Sequence, residues 1–315
     1  MTKSSFKQKS DPIIKSLSSI IFICLILFFA INLSDKIGQF VLEGIKLSLF
    51  CVIPSAFPFM ILSELYINYG SPEKIPMVGT LYENLFHLPK NSLSALICGN
   101  VCGFPIGVKS VSELYKRGEI EEADAEKLLA YSNNPSPSFI IGAVGVGILQ
   151  NKEYGILLLI SLYLSVVLSA VIFRGRKSTR ITKYYKQERN INLITLIKDA
   201  GFGCLTISSF IIFFSIITSV VNEYVSNSVI KASLISVLEV TNAVKFFSIL
   251  SNIDTIRLSL ISFALGFGGL SVFMQSKVFA SGVGLSMKKY IYIKFVQGVI
   301  SFLITFTLLT LSNIQ

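Results

Sequence analysis

Residues Cys98 to Ser110 read CGNVCGFPIGVKS. The stretch opens at the end of an apolar run. It then sets Gly99, Gly103, Pro105 and Gly107 where a membrane helix should continue, with Lys109 close behind. Glycine and proline interrupt helical hydrogen bonding. In lipid the freed backbone groups must be met by protein or line a water-filled cavity. The arm before the break, Ser92 to Val101, is too short to cross a bilayer, which takes roughly 20 residues. The stretch therefore reads as the tip of a re-entrant hairpin, with Val108 to Arg117 as the returning arm. A second interrupted apolar segment, ALGFGGLSVFMQSK, lies at Ala264 to Lys277. Paired, glycine-broken hydrophobic segments in two halves of a chain point to a transporter-type binding site.

Composition agrees with a membrane protein. Of 315 residues, 52% are hydrophobic and only 15% charged, against roughly 25% charged in soluble domains. The expected class is an all-α, polytopic helical membrane protein. Trp is absent, so interface anchoring falls to Tyr, Lys and Arg. The net charge of +10 does not indicate nucleic acid, because the basic residues flank apolar spans. They cluster at Lys3, Lys7, Lys9 and Lys15 and again from Arg174 to Arg189. Both segments read as cytoplasmic under the positive-inside pattern. The basic tail and the apolar run Ile20 to Ile31 resemble a signal peptide, but no small-x-small cleavage site follows, and a retained first helix is expected.

The chain divides into residues 1–36 (tail and first membrane helix), 37–173 (first repeat, with the hairpin), 174–194 (basic linker) and 195–315 (second repeat). The first helix covers about Leu17 to Leu33. The second covers Ile37 to Tyr66 and carries Pro54 and Pro58, which should kink it. A helix is expected around Val78 to Phe86, and a charged surface helix from Glu119 to Leu129. SNNPSPS (Ser132 to Ser138) then breaks the chain before the short apolar piece Phe139 to Leu149 and the span Tyr154 to Phe173. In the second half, Thr195 to Val221 is a span. Val225 to Leu250 is apolar but carries Glu239, Thr241, Asn242 and Lys245. Leu258 to Phe279 is broken by Gly266, Gly268 and Gly269, and Tyr290 to Leu311 closes the chain. Two short matches suggest duplication: Cys51, Ser55 and Phe57 with Cys204, Ser208 and Phe210, and Gly103-Phe104 with Gly266-Phe267.

Half-helix N-termini at the breaks present unpaired amides and a favourable dipole to an anionic group. Lys109 adds a full positive charge, so the Gly103 to Gly107 backbone with Lys109 is expected to bind a carboxylate. Glu64 and Glu239 are the acids inside apolar runs, and either is a partner for Lys109 or a proton carrier. Asn100, Asn133, Asn134 and Gln275 are further polar groups near breaks. The candidate substrate-binding set is Gly103, Phe104, Pro105, Gly107, Lys109, Asn133, Asn134, Glu239, Thr241, Asn242, Gly268, Gly269, Ser271 and Gln275. GFPIGVKS is not a phosphate-binding P-loop, because Val108 separates Gly107 from Lys109. The five cysteines and single His87 supply no metal-ligand spacing. No catalytic constellation stands out, so neither an enzyme nor a cofactor is expected. The expected partners are a small anionic solute and the lipid bilayer. Homo-oligomerisation is left open.

GFPIGVKS, the run AYSNNPSPSFIIGAVGVG (Ala130 to Gly147) and LGFGGLSVFMQ (Leu265 to Gln275) resemble the sporulation integral membrane protein YlbJ (SpoVV) family, with its nucleoside-recognition Gate domain. The resemblance covers nearly the whole chain after the first helix. It implies a plan similar to concentrative nucleoside transporters, with two re-entrant elements meeting at mid-membrane. It also implies a carrier of dipicolinate out of the mother cell across the outer forespore membrane. The family's Gly-x-Pro-x-Gly-x-Lys pattern falls on Gly103, Pro105, Gly107 and Lys109, and its Gly-Phe-Gly-Gly-Leu-Ser pattern on Gly266 to Ser271. Cys102 is a mild departure from the family's small residue before the first glycine. The other functions kept open are a non-transporting membrane scaffold for spore assembly and a nucleoside transporter.

Overall fold

A computed structural model describes residues 20, 24, 28, 32–69, 75–175, 192–250 and 254–312. The helix expected at Leu17 to Leu33 and most of the basic linker fall largely outside these residues. The described chain is all-helical, as the hydropathy pattern indicates. Helix α1 (Ser34–Leu47) runs through a π-helical turn at Ser48–Val52 into α2 (Ile53–Tyr69). The interruption expected from Pro54 and Pro58 takes this form, a π turn just before Pro54, while Pro58 lies inside α2. Such turns are a common way for a helix to absorb a local break in its ladder. Helix α3 (Pro76–Phe86) lies where an amphipathic helix was expected.

Helices α4 (Leu93–Cys102) and α5 (Ile106–Lys116) pack on each other as the arms of a hairpin with Gly103 at its tip. Gly103 has φ 90°, a conformation that disfavours a side chain. Helix α6 (Glu122–Ser132) stops at Asn133, and the chain resumes as a π-helix at Ser138–Ile148 before the span α7 (Lys152–Phe173). The charged surface helix expected at Glu119 to Leu129 is instead buried over much of α6, including Asp124, Glu126 and Leu128 through Ser132. The reason is backbone fit. A Cβ built on Gly99 would lie 1.7 Å from the Ser132 carbonyl oxygen, and one on Gly107 2.0 Å from it. Both arms of the hairpin thus close on the end of α6 at a distance only glycine permits.

The second half runs in the order span, hairpin, broken crossing, span. Helix α8 (Leu193–Tyr224) is the span. The apolar stretch Val225 to Leu250 divides at Glu239 into α9 (Ser228–Leu238) and α10 (Val240–Leu250), which pack together. Helices α11 (Asp254–Phe267) and α12 (Gly269–Ser281) form one interrupted crossing, broken at Gly268 with φ 84°. Helix α13 (Lys288–Ser312) is the last span.

This order pairs the breaks differently from the short glycine match. Gly103 stands in the hairpin position that Glu239 occupies in the second half. Asn133 to Ser136 stands in the broken-helix position of Gly268. The packing follows the same rule in both halves. A Cβ on Gly103 would lie 3.0 Å from the Ser136 nitrogen, and one on Gly269 3.2 Å from the Val237 carbonyl oxygen. Each hairpin tip therefore rests on the break of the helix that follows it.

Small and hydroxyl residues bind the crossings, as expected where lipid removes most of the hydrophobic drive between helices. Ser262 on α11 pairs with the Ser301 hydroxyl on α13 at 2.7 Å, and Thr305 donates to Ser262 at 2.8 Å. Large apolar side chains, Phe202, Leu205, Leu303 and Ile172 among them, point outward from the spans. Among the described residues, four helices are long and apolar enough to cross a membrane, α11 and α12 counted as one.

Candidate functional site

Three of the four breaks converge on one inner cavity of about 70 Å³. Cys102, Gly103 and Phe104 come from the first hairpin tip, and Pro135, Ser136 and Phe139 from the break after α6. Glu239, Val240 and Thr241 come from the second hairpin tip. Val272 and Gln275 of α12 close one wall, and Val52, Ala56, Ile207 and Ile211 of the π turn, α2 and α8 close the apolar side. The volume holds a few waters. It is far below the roughly 300 Å³ of a small-molecule pocket, so in this conformation the inner cavity is closed to a solute.

Glu239 is the charged group of the cavity. It is 3% exposed. Its extended backbone (φ −150°, ψ 125°) ends α9 and opens α10. Oε1 accepts the Thr241 N–H at 3.0 Å and Oε2 the Asn242 N–H at 2.7 Å. The carboxylate thus caps the α10 N-terminus, where the helix dipole favours negative charge. By contrast, neither the α5 N-terminus at Pro105 nor the α12 N-terminus at Gly268 has a side-chain cap. Gln275 donates from Nε2 to Ser271 Oγ at 3.1 Å, and its buried Oε1 has no partner among the described residues.

A second, open cleft of about 460 Å³ adjoins this region. Glu43, Lys46, Leu47 and Phe50 of α1 and the π turn, Ser215 and Ser219 of α8, and Asn242 and Lys245 of α10 line it. Thr241 faces the inner cavity and Asn242 the outer cleft. The first turn of α10, held by Glu239, is therefore the partition between the two spaces.

Of the residues singled out in the sequence, Gly103, Phe104, Glu239, Thr241 and Gln275 line the inner cavity. Asn242 lines the outer cleft, and Ser271 supports Gln275. Pro105 is buried as the N-cap of α5, Gly107 packs on Ser132, and Gly268 and Gly269 form the α11–α12 break. Lys109 is placed with Glu64 of α2, one of the two acids the sequence offered it, at 3.3 Å and away from both spaces. The helical turn after Gly107 carries its side chain toward α2, where an acid is in reach. Lys109→Ala should thus lower stability by only about 1 kcal/mol or less, as for other partly exposed pairs. Thermal unfolding of the purified variant measures this, and a collapse of the fold would contradict the assignment.

Asn133 and Asn134 belong to a different cluster, one the sequence reading did not assemble. Its centre is Lys294 of α13, 1% exposed. The ammonium donates to the Asn133 carbonyl at 3.0 Å, Asn134 Oδ1 at 2.8 Å and Gln297 Oε1 at 3.0 Å. Asn134 Oδ1 also accepts from Gln297 Nε2 at 2.6 Å, and Asn134 Nδ2 donates to Asn100 Oδ1 at 3.0 Å. Asn133 Nδ2 donates to Ser276 Oγ and to Tyr290 OH at 2.8 and 2.6 Å. A signal for this was present: an ionisable residue inside an apolar span costs at least about 2.5 kcal/mol and marks a functional position by default.

Two hairpins and two discontinuous helices meeting around a small, largely apolar cavity that holds Glu239 define a polytopic helical membrane protein of the broken-helix type. The chain is similar to the sporulation integral membrane protein YlbJ of Bacillus subtilis (strain 168), at 28% identity over 294 residues, 79% of this chain and 71% of that protein. This similarity supports the YlbJ family resemblance carried by the glycine motifs. No family model matches the chain, and no solved structure matches it.

Proposed function

We propose that this protein is a carrier, not an enzyme, and that it moves a small carboxylated solute across the membrane of a sporulating bacterium. The observation that carries the reading is the convergence of three backbone breaks, at Gly103, Pro135 and Glu239, on one cavity next to a larger open cleft. Irregular backbone at membrane depth is tolerated where it is buried in protein or lines a cavity, and broken helices are how carriers build central sites. The outer cleft is lined by two lysines, Lys46 and Lys245, and one acid, Glu43, a balance that favours an anion. The family resemblance names dipicolinate, which has two carboxylates, and the outer forespore membrane. Movement requires the α10 partition to shift so that cleft and cavity join.

A nucleoside is the second reading, favoured by the acceptors facing the inner cavity. Glu239 and the unpartnered Gln275 Oε1 suit hydroxyl donors better than a carboxylate. The test is dipicolinate content in spores of a strain lacking this protein, with uptake competition by nucleosides. Dipicolinate trapped in the mother cell is the expected result. Normal delivery to the spore would overturn the dipicolinate reading, and competition by nucleosides would favour the second.

A further inference from the structure

The Lys294 ammonium is held only by neutral oxygens. It has three N–H donors, and three carbonyl-type acceptors meet them at 2.8 to 3.0 Å. Among the described residues, no carboxylate pairs with it. One acceptor, the Asn133 carbonyl, belongs to the C-cap of α6, where the half-helix dipole places partial negative charge. The other two are side-chain amide oxygens of Asn134, at the break after α6, and Gln297 of α13. A fourth oxygen of the same residues, Asn133 Oδ1, is buried with no partner among the described residues. Backbone carbonyls at the C-terminal end of a half-helix, joined by neutral side-chain oxygens, are the donor set with which broken-helix membrane proteins hold a monovalent metal cation.

We propose that these oxygens form a monovalent-cation site and that Lys294 fills it with a tethered ammonium. The side chain supplies on a covalent tether what a bound Na⁺ or K⁺ would supply as a free ion. It ties the break after α6 to α13, and through Asn133 to Ser276 on α12 and Tyr290 on α13. The protein should then need no alkali cation to hold these elements together. The site is independent of which solute the inner cavity takes.

Thermal unfolding of the purified full chain in NaCl, KCl and choline chloride at equal ionic strength tests this. Wild-type protein should melt at the same temperature in all three. Lys294→Ala should melt lower in choline and recover by several degrees, saturably, in NaCl or KCl. Lys294→Met, which keeps the volume but fills the space with an apolar chain, should melt lower without recovery. A cation-specific rise in the wild type would overturn the proposal, as would a Lys294→Ala protein that melts identically in the three salts. If Lys294→Ala cannot be purified in choline, its recovery as a monodisperse protein in NaCl or KCl supports the site. Failure in every salt overturns it, because an alkali ion should then have replaced the lost charge.

Discussion

Gly99→Ala is expected to unfold the first hairpin, lowering stability by more than about 3 kcal/mol. The added carbon would sit 1.7 Å from the Ser132 carbonyl oxygen and 2.7 Å from the Gly107 Cα. Both neighbours are backbone, so neither can swing aside as a side chain would. Relief requires α4 to withdraw from α6, and that withdrawal drags on the hydrogen bonds from Asn100 to Tyr131 and from Asn134 to Asn100. Size-exclusion and thermal unfolding in detergent should show little folded protein. Gly201→Ala is the control. That glycine lies in α8 with nothing within 4 Å of its added carbon. Alanine is about 1 kcal/mol better than glycine in a helix interior, so the variant should melt at or slightly above the wild-type temperature. Comparable melting of the two variants would contradict the close packing of α4, α5 and α6.

Glu239→Ala is expected to reduce solute delivery by about tenfold or more while the protein still inserts. The change removes both acceptors from the α10 N-terminus and leaves the Thr241 and Asn242 amides facing cavity and cleft without their partner. A hydrogen bond to a charged group is worth about 1.5 to 3 kcal/mol, and 1.4 kcal/mol is a factor of ten in an equilibrium. Losing even one would shift the population of the ordered tip by that factor. Because this turn separates the outer cleft from the inner cavity, the effect should appear in transport before it appears in folding. Glu239→Asp should recover part of the loss, since aspartate is among the preferred caps. Spore dipicolinate gives the readout. Wild-type levels in the Glu239→Ala strain would remove Glu239 from the transport path, and equal defects in the Ala and Asp variants would argue against capping as its role.

Much of the architecture was legible in residue order. Hydropathy located the four long spans, because transfer from water is summed over local composition. Gly103, Gly268 and the Asn133 to Ser136 segment announced their breaks, because glycine and proline act on the backbone where they stand. Glu239 was visible as an acid in an apolar stretch, though not as the point where that stretch divides. Its carboxylate had to be seen capping α10 for the split to make sense. The burial of α6 was not legible either, since its charged residues read as a solvent face and only the glycine crossings at Ser132 draw it inward.

The pairing of charges lay further out of reach. The sequence offered Lys109 two acids, Glu64 and Glu239, and only the fold selects Glu64 on α2. Lys294 and Asn134 are 160 residues apart, and no local pattern links them. Sequence by itself determined that this is a helical membrane protein and where glycine and proline break its helices, because both depend on the chemistry of neighbouring residues. Only the tertiary structure decided which breaks meet, which acid faces the cavity and which lysine is buried among neutral oxygens, because those depend on distances between segments remote in the chain.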